Sequence, residues 1–188
     1  MNKEMSEATR KLASVIVPLK KREQQAAIKV ARDHLTHELS DHVRILGAEL
    51  RIDKPAKPGA VPLRMISVIV IDYAKRRNVE VLVDGSGEVA KVNDLRGAQP
   101  AYTAEEVAEA RDIAEQDDRA ARFRKMKGMF VSEFGPERAA DHARRIGLRY
   151  VAMQKGRPVR IVAHAIVDMS ARRLVDFEET SVSQEPGR

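Results

Sequence analysis

Residues 79–110 read VEVLVDGSGEVAKVNDLRGAQPAYTAEEVAEA, and they spell a strand, a tight turn, a second strand, a break and a capped helix. Val79, Val81 and Val83 alternate with Glu80, Leu82 and Asp84, the two-residue period of a strand. Asp84-Gly85-Ser86-Gly87 signals a tight turn, because its glycines accept positive φ. Residues 88–93 supply the returning strand. A symmetric turn sets Leu82 opposite Val89 and Glu80 opposite Lys91, an apolar pair and an opposite-charge pair on one face. Gly97-Ala98-Gln99-Pro100 then breaks the chain. Thr103 caps a helix, and Glu106 three residues later closes a capping box. Val107, Ala110, Ile113 and Ala114 form one narrow apolar stripe on it.

The same layout recurs near the C-terminus. Residues 160–168 (RIVAHAIVD) read as a strand, 169–173 as a turn and 174–178 (LVDFE) as a strand. Val83-Asp84 and Val167-Asp168 close corresponding strands. Upstream, residues 42–52 (HVRILGAELRI) match residues 123–133 (FRKMKGMFVSE) in pattern. Two homologous units are therefore expected, over 19–97 and 98–179, each a helix followed by about four strands. Residues 1–18 form an N-terminal segment, and 180–188 a polar tail expected to be disordered.

Within the first unit, Pro18 opens a helix over residues 20–39, with Ile28, Ala31, Leu35 and Leu39 on one face. Residues 43–52 are a strand, and 53–62 (DKPAKPGAVP) a loop rich in breakers. Residues 63–73 (LRMISVIVIDY) are the most apolar strand, with Leu63, Met65, Ile69 and Ile71 on one face and Ile66, Val68 and Val70 on the other. A helix covers one face only. Ile66, Val68 and Val70 are read as a surface for a second copy, so a homo-oligomer is expected, a dimer above others. The apolar run at 12–19 is a second surface needing cover. Further on, residues 119–122 lead into a strand at 124–134. Gly135-Pro136-Glu137 breaks it, and strands follow at 148–154 and 159–168.

Lys and Arg exceed Asp and Glu by six, and cysteine is absent. Disulfides and thiolate sites are thereby excluded. Residues 1–11 lack the apolar run of a secretory leader, and no apolar run is long enough to span a bilayer. A cytoplasmic protein with no membrane partner is expected. The positive balance admits nucleic acid as a partner, with Arg138, Arg144, Arg145, Arg149, Arg157, Arg160, Arg172 and Arg173 as the contacts. Scarce aromatic residues count against stacking on bases.

Catalytic signatures are missing. His34 and His37 flank Leu35 on the first helix, and His42 follows, but no acid or cysteine completes a ligand set. No metal, cofactor or catalytic residue is assigned. Asp72, Tyr73, Tyr150, His164 and Asp168 are the polar residues on or near core strands. A ligand cavity or active site would have to be built from them.

Residues 81–117 (VLVDGSGEVAKVNDLRGAQPAYTAEEVAEARDIAEQD) resemble the small N-terminal domains of copper amine oxidases. The likeness rests on Val83-Asp84, the Gly97-x-x-Pro100 break and Glu105-Glu106 opening the next helix. Residues 158–179, with Val167-Asp168, look like the close of the following domain. The resemblance covers about 63–179. It implies an α+β fold of two tandem cystatin-like units, each a helix packed on a curled antiparallel sheet of about four strands. It carries no catalytic residue: the family's quinone arises from a Tyr in an Asn-Tyr-Asp/Glu-Tyr motif, and Tyr73, Tyr102 and Tyr150 lack that context. The family's His-x-His copper pair is absent too, and its catalytic domain is longer than these 188 residues. The reading that follows is a non-catalytic scaffold or protein-binding module that self-associates and meets a protein partner. Nucleic-acid binding and a small-ligand or enzymatic site in a cystatin-like cavity stay open beside it.

Overall fold

The computed structural model describes residues 16–53, 62–96, 98–136 and 141–180. The N-terminal segment through residue 15, most of the 53–62 loop, Gly97, residues 137–140 and the tail from 181 onward lie outside the described residues. The chain divides into two units between Ala98 and Gln99. Each is α+β, with one four-stranded antiparallel sheet whose strand order follows the sequence.

In the first unit, helix α1 is Lys21–Leu35. It starts three residues after Pro18, where the Glu23 carboxylate accepts the Lys20 N–H at 2.8 Å. The helix ends four residues short of Leu39, whose N–H still donates to Leu35 O at 3.1 Å and whose side chain packs on the core. Strands β1 (Val43–Asp53), β2 (Leu63–Asp72), β3 (Arg77–Val83) and β4 (Val89–Asp94) follow. Ala27, Ala31 and Leu35, spaced four apart, lie on Ala48, Ile66, Val68, Val70, Val79, Val81 and Val83. The alanines bring the helix close to the sheet, and the alternating β-branched residues give it an apolar floor. Ile66, Val68 and Val70, read from sequence as a surface for a second copy, are therefore under α1 and covered within one chain. Alternation shows that β2 has two apolar faces; it does not say which one the helix takes.

The β3–β4 register differs from the symmetric one. Val83 pairs with Val89, Leu82 with Lys91 and Glu80 with Asn93, leaving Ala90 as an extra residue. The cause is the turn. Asp84 Oδ1 accepts from the Ser86 N–H at 2.9 Å, the Ser86 hydroxyl at 2.6 Å and the Glu88 N–H at 3.1 Å. Asp84 N donates to Glu88 O at 2.9 Å. This carboxylate fixes a five-residue loop whatever side chains then face one another, and a bulge absorbs the odd residue.

In the second unit, α2 is Ala104–Ala114 and carries the expected capping box. Glu106 N donates to Thr103 Oγ1 at 3.1 Å, and Thr103 N donates to Glu106 Oε2 at 3.0 Å. Val107, Ala110, Ile113 and Ala114 are buried, as the stripe predicts. A further helix, α3 (Asp118–Lys125), occupies residues that the sequence reading led into a strand. Asp117 caps it by accepting the Arg119 N–H at 2.9 Å, and Ala120 and Phe123 are buried three apart. Residues 123–125 are thus helical, so their pattern match to the start of β1 is not a structural match. Strands β5 (Met129–Phe134), β6 (Arg145–Gln154), β7 (Arg157–Asp168) and β8 (Arg173–Glu179) complete the unit. Val83 ends β3 and Val167-Asp168 ends β7, the third strand of each sheet.

On the helix-facing side of the second sheet, Ile146, Leu148 and Tyr150 pair with Val167, Ala165 and Ala163. The Tyr150 ring lies 5.5 Å from Phe123 and 6.2 Å from Phe177. Burial first, and the nearby Glu115 carboxylate second, push the Tyr150 hydroxyl up to about 12. An unfolded tyrosine ionises near pH 10. Between these values the unfolded chain holds fewer protons than the folded one, so stability is intact below pH 10 and falls as pH rises toward 12. Chemical denaturation followed across that range should show this loss, and Tyr150→Phe should reduce it, leaving the part due to Tyr102, whose hydroxyl burial also raises. An unchanged alkaline slope in Tyr150→Phe would refute the assignment.

Candidate functional site

Arginines singled out from sequence do not gather on one surface. Arg138 lies outside the described residues. Arg144 is not at the surface at all: its side chain is 2% exposed and its partner Glu106 is 0% exposed. Its Nε and Nη2 donate to the two Glu106 oxygens at 3.0 and 2.9 Å. Nη1 and Nη2 donate to the Pro100 and Ala101 carbonyls at 2.6 and 3.2 Å, and the guanidinium lies 4.5 Å from the Tyr102 ring centroid. This arginine ties residues 99–103 and the start of α2 to β6. It is a structural hub and is corrected out of any nucleic-acid contact set. Arg172, in the β7–β8 turn, pairs with Glu109 at 2.7 Å.

Arg145, Arg149 and Arg173 belong to the sheet face away from the helices. In register across that face run Arg145, Asp168 and Arg173, then Phe134, Gly147, Ile166 and Asp176, then Ser132, Arg149, His164 and Glu178. The Phe134 ring leans over Gly147, with His164 at 5.8 Å between centroids and the Arg149 guanidinium 4.4 Å above it. A Cβ at position 147 would stand 2.4 Å from that ring, so the ring position requires glycine. His164 is thereby a half-buried packing partner of an aromatic ring.

The polar strand residues proposed for a cavity are divided between the two units, Asp72 and Tyr73 in the first and Tyr150, His164 and Asp168 in the second. Asp72 accepts from Ser40 N at 2.7 Å, Ser40 Oγ at 2.6 Å and Lys75 N at 2.9 Å. Burial works to raise its pKa, but the Ser40 and Lys75 hydrogen bonds outweigh it and hold the carboxyl below its ordinary value. Tyr73 is buried against His42, 4.7 Å between ring centroids. Asp168 accepts the Ala171 N–H at 2.9 Å and so shapes the β7–β8 turn. Tyr150 faces the helices, whereas its neighbour Arg149 pairs with His164 on the other side. A carboxylate that sequence reading missed, Glu80, accepts from Ser67 Oγ at 2.7 Å, Arg51 Nη1 at 2.9 Å and Asn93 Nδ2 at 2.8 Å. Burial again opposes, and the Ser67, Asn93 and Arg51 bonds prevail, so its pKa is lowered. Each of these carboxylates is engaged by donors that fix a turn or a strand pair.

Arg157 and Arg160, singled out from sequence, are joined at one end of the second sheet by Lys125, Lys127 and Lys155, which sequence reading missed. Gly128 O accepts the Met153 N–H at 2.7 Å, which lays the α3–β5 turn beside the β6–β7 turn. Lys125 ends α3 and Lys127 lies in the first turn; Lys155 lies in the second, Arg157 opens β7 and Arg160 follows on it. All five are exposed, and none has an ion-pair partner among the described residues. The signal for them was α3: once Lys125 ends a helix, Lys127 falls in a turn. Among the described residues no group of three or more His, Asp or Glu is placed to hold a metal, and no helix is long and apolar enough to cross a membrane.

No protein-family model matches the sequence, and no curated protein matches it. Among solved structures, the chain is similar to a copper-containing benzylamine oxidase from Hansenula polymorpha, with a TM-score of 0.62 at 13% identity. That alignment covers 87% of this chain and 30% of the oxidase, so the chain spans under a third of the protein it matches. The likeness is one of fold. The C-terminal domain of Bacillus megaterium YpeB aligns over 86% of this chain and 63% of its own, at 11% identity and a TM-score of only 0.27.

Proposed function

We propose that the protein is a non-catalytic binding module built from two cystatin-like units of the kind found N-terminally in copper amine oxidases. One observation carries this reading: the buried and half-buried carboxylates Asp72, Glu80, Glu106 and Asp168 are each engaged by donors that hold a turn, a strand pair or a helix start. The fold-level likeness to an amine oxidase supports the scaffold. The order of helix before four-stranded meander in both units, with Val83 ending the third strand of one and Val167-Asp168 that of the other, supports their origin by duplication.

Self-association belongs to this proposal in a narrower form than alternation on β2 suggested. With Ile66, Val68 and Val70 under α1, the surface for a second copy is the edge strand β1, where Val43 and Ile52 are exposed. An uncovered edge of this length is a template for pairing, and lysine on it blocks pairing. Sedimentation equilibrium at micromolar concentration is expected to give a dimer for the natural chain and a monomer for Val43→Lys/Ile52→Lys. A monomeric natural chain rejects self-association. Amine-dependent peroxide release from the protein with copper(II) and benzylamine rejects the non-catalytic reading.

A further inference from the structure

Each of the two adjoining turns at the end of the second sheet places apolar side chains between cations. The α3–β5 turn reads Lys125-Met126-Lys127, and the β6–β7 turn and its exit read Lys155-Gly156-Arg157-Pro158-Val159-Arg160-Ile161. Met126 is 52% exposed, Val159 57%, Ile161 37%, and Phe130 at the start of β5 53%. Phe130 and Ile161 both pair with Val151, one on each side, so they share a row on one sheet face. β7 carries two bulges here, at Val162 and Val159. Bulges bend a strand and re-aim its side chains, and Val159 is left with no cross-strand partner. Gln154, Lys155, Arg157 and Val159 line one shallow depression.

Charge decides what covers this end. A second copy docked by a two-fold axis would set the five cations against the same five. The occupant is therefore anionic. Nucleic acid draws on cations and on aromatic faces that stack with bases. Phe130 is the one exposed aromatic residue here among the described residues; Met126, Val159 and Ile161 offer bases no stacking face. An anionic bilayer surface uses both halves of the pattern. Its headgroups attract Lys and Arg, and its headgroup–acyl boundary accepts aliphatic side chains. We infer that this end of the second unit docks on the surface of an anionic phospholipid bilayer, with Lys125, Lys127, Lys155, Arg157 and Arg160 on the headgroups and Met126 and Val159 entering between them.

The inference rests on the binding-module reading and names what one surface of that module binds. Flotation of the full chain tests it, with vesicles of phosphatidylcholine alone and of phosphatidylcholine with about a third phosphatidylserine. Binding is expected to the mixed vesicles only, and to be lost at high salt. Lys127→Ala/Lys155→Ala/Arg157→Ala should weaken it roughly a hundredfold, at about fivefold per cation held near an anionic surface. Met126→Ser/Val159→Ser should weaken it about tenfold and leave the salt dependence unchanged. Both variants alter exposed residues, and unchanged circular dichroism melts will show that they are folded. A fluorescein-labelled oligothymidylate serves as the competing probe. No binding to mixed vesicles at low salt overturns the inference, as does binding that ignores both variants. Oligonucleotide binding that falls in the charge variant alone, without vesicle binding, replaces it with a nucleic-acid interface. These failures leave the sedimentation and peroxide results standing, so the two readings fall separately.

Discussion

Arg144→Met is expected to destabilise the second unit by about 3–5 kcal/mol, the range for removing one partner of a buried ion pair. The loss has three sources. Glu106, with no exposed side-chain surface, loses both guanidinium bonds. The Pro100 and Ala101 carbonyls lose their donor, and the Tyr102 ring loses its cation. Urea unfolding followed by circular dichroism measures the effect. Adding Glu106→Gln to Arg144→Met removes the stranded carboxyl group while an amide oxygen can still accept the Thr103 N–H. The double variant should recover much of the stability, and the cycle isolates the coupling between the two residues. A loss below about 1 kcal/mol in Arg144→Met would mean that solvent or another donor replaces the guanidinium, since exposed pairs lie in that range.

Val68→Asp is expected to prevent the first unit from folding at neutral pH. Val68 has 0% exposure and sits between Ala48 on β1 and Val81 on β3, beneath α1. A carboxylate there meets only apolar side chains. Burying an unpaired charge belongs to the small class of substitutions that cost more than about 4 kcal/mol. Amide hydrogen exchange should show β2 and β3 unprotected in the variant. If instead Val68→Asp gives a folded monomer from a natural dimer, β2 presents this face to a partner and α1 does not cover it in solution.

How much of this was legible depends on the range of each interaction. The Thr103–Glu106 capping box spans four residues, and it stands as read. So do the central portions of the strands, where alternation is local. Arg144 was out of reach because its partner is 38 residues away and its charge suggested a surface. Helix α3 was hidden by composition: DRAARFRK holds only Ala120 and Phe123 as buried contacts. The hairpin register departs from the symmetric one because the Asp84 side chain, and not a Glu80–Lys91 charge pair, sets the length of the turn. The basic end of the second sheet is an adjacency of two turns through one backbone bond, from Met153 to Gly128. Periodicity carries no trace of such a contact. Nor could it choose which apolar face of β2 lies beneath the helix.

The Phe134 ring over Gly147 bears on the history of the sequence. A methyl group at 147 has no room while the ring stays, since its carbon would stand 2.4 Å from two ring atoms. Selection acting on either position is therefore conditional on the other. A lineage that gains a side chain at 147 must turn the Phe134 ring aside or accept a smaller residue at 134, and either change takes from Arg149 the ring it lies upon. Descendants of this chain should explore these three positions as a linked set, with Gly147 the last of them free to drift.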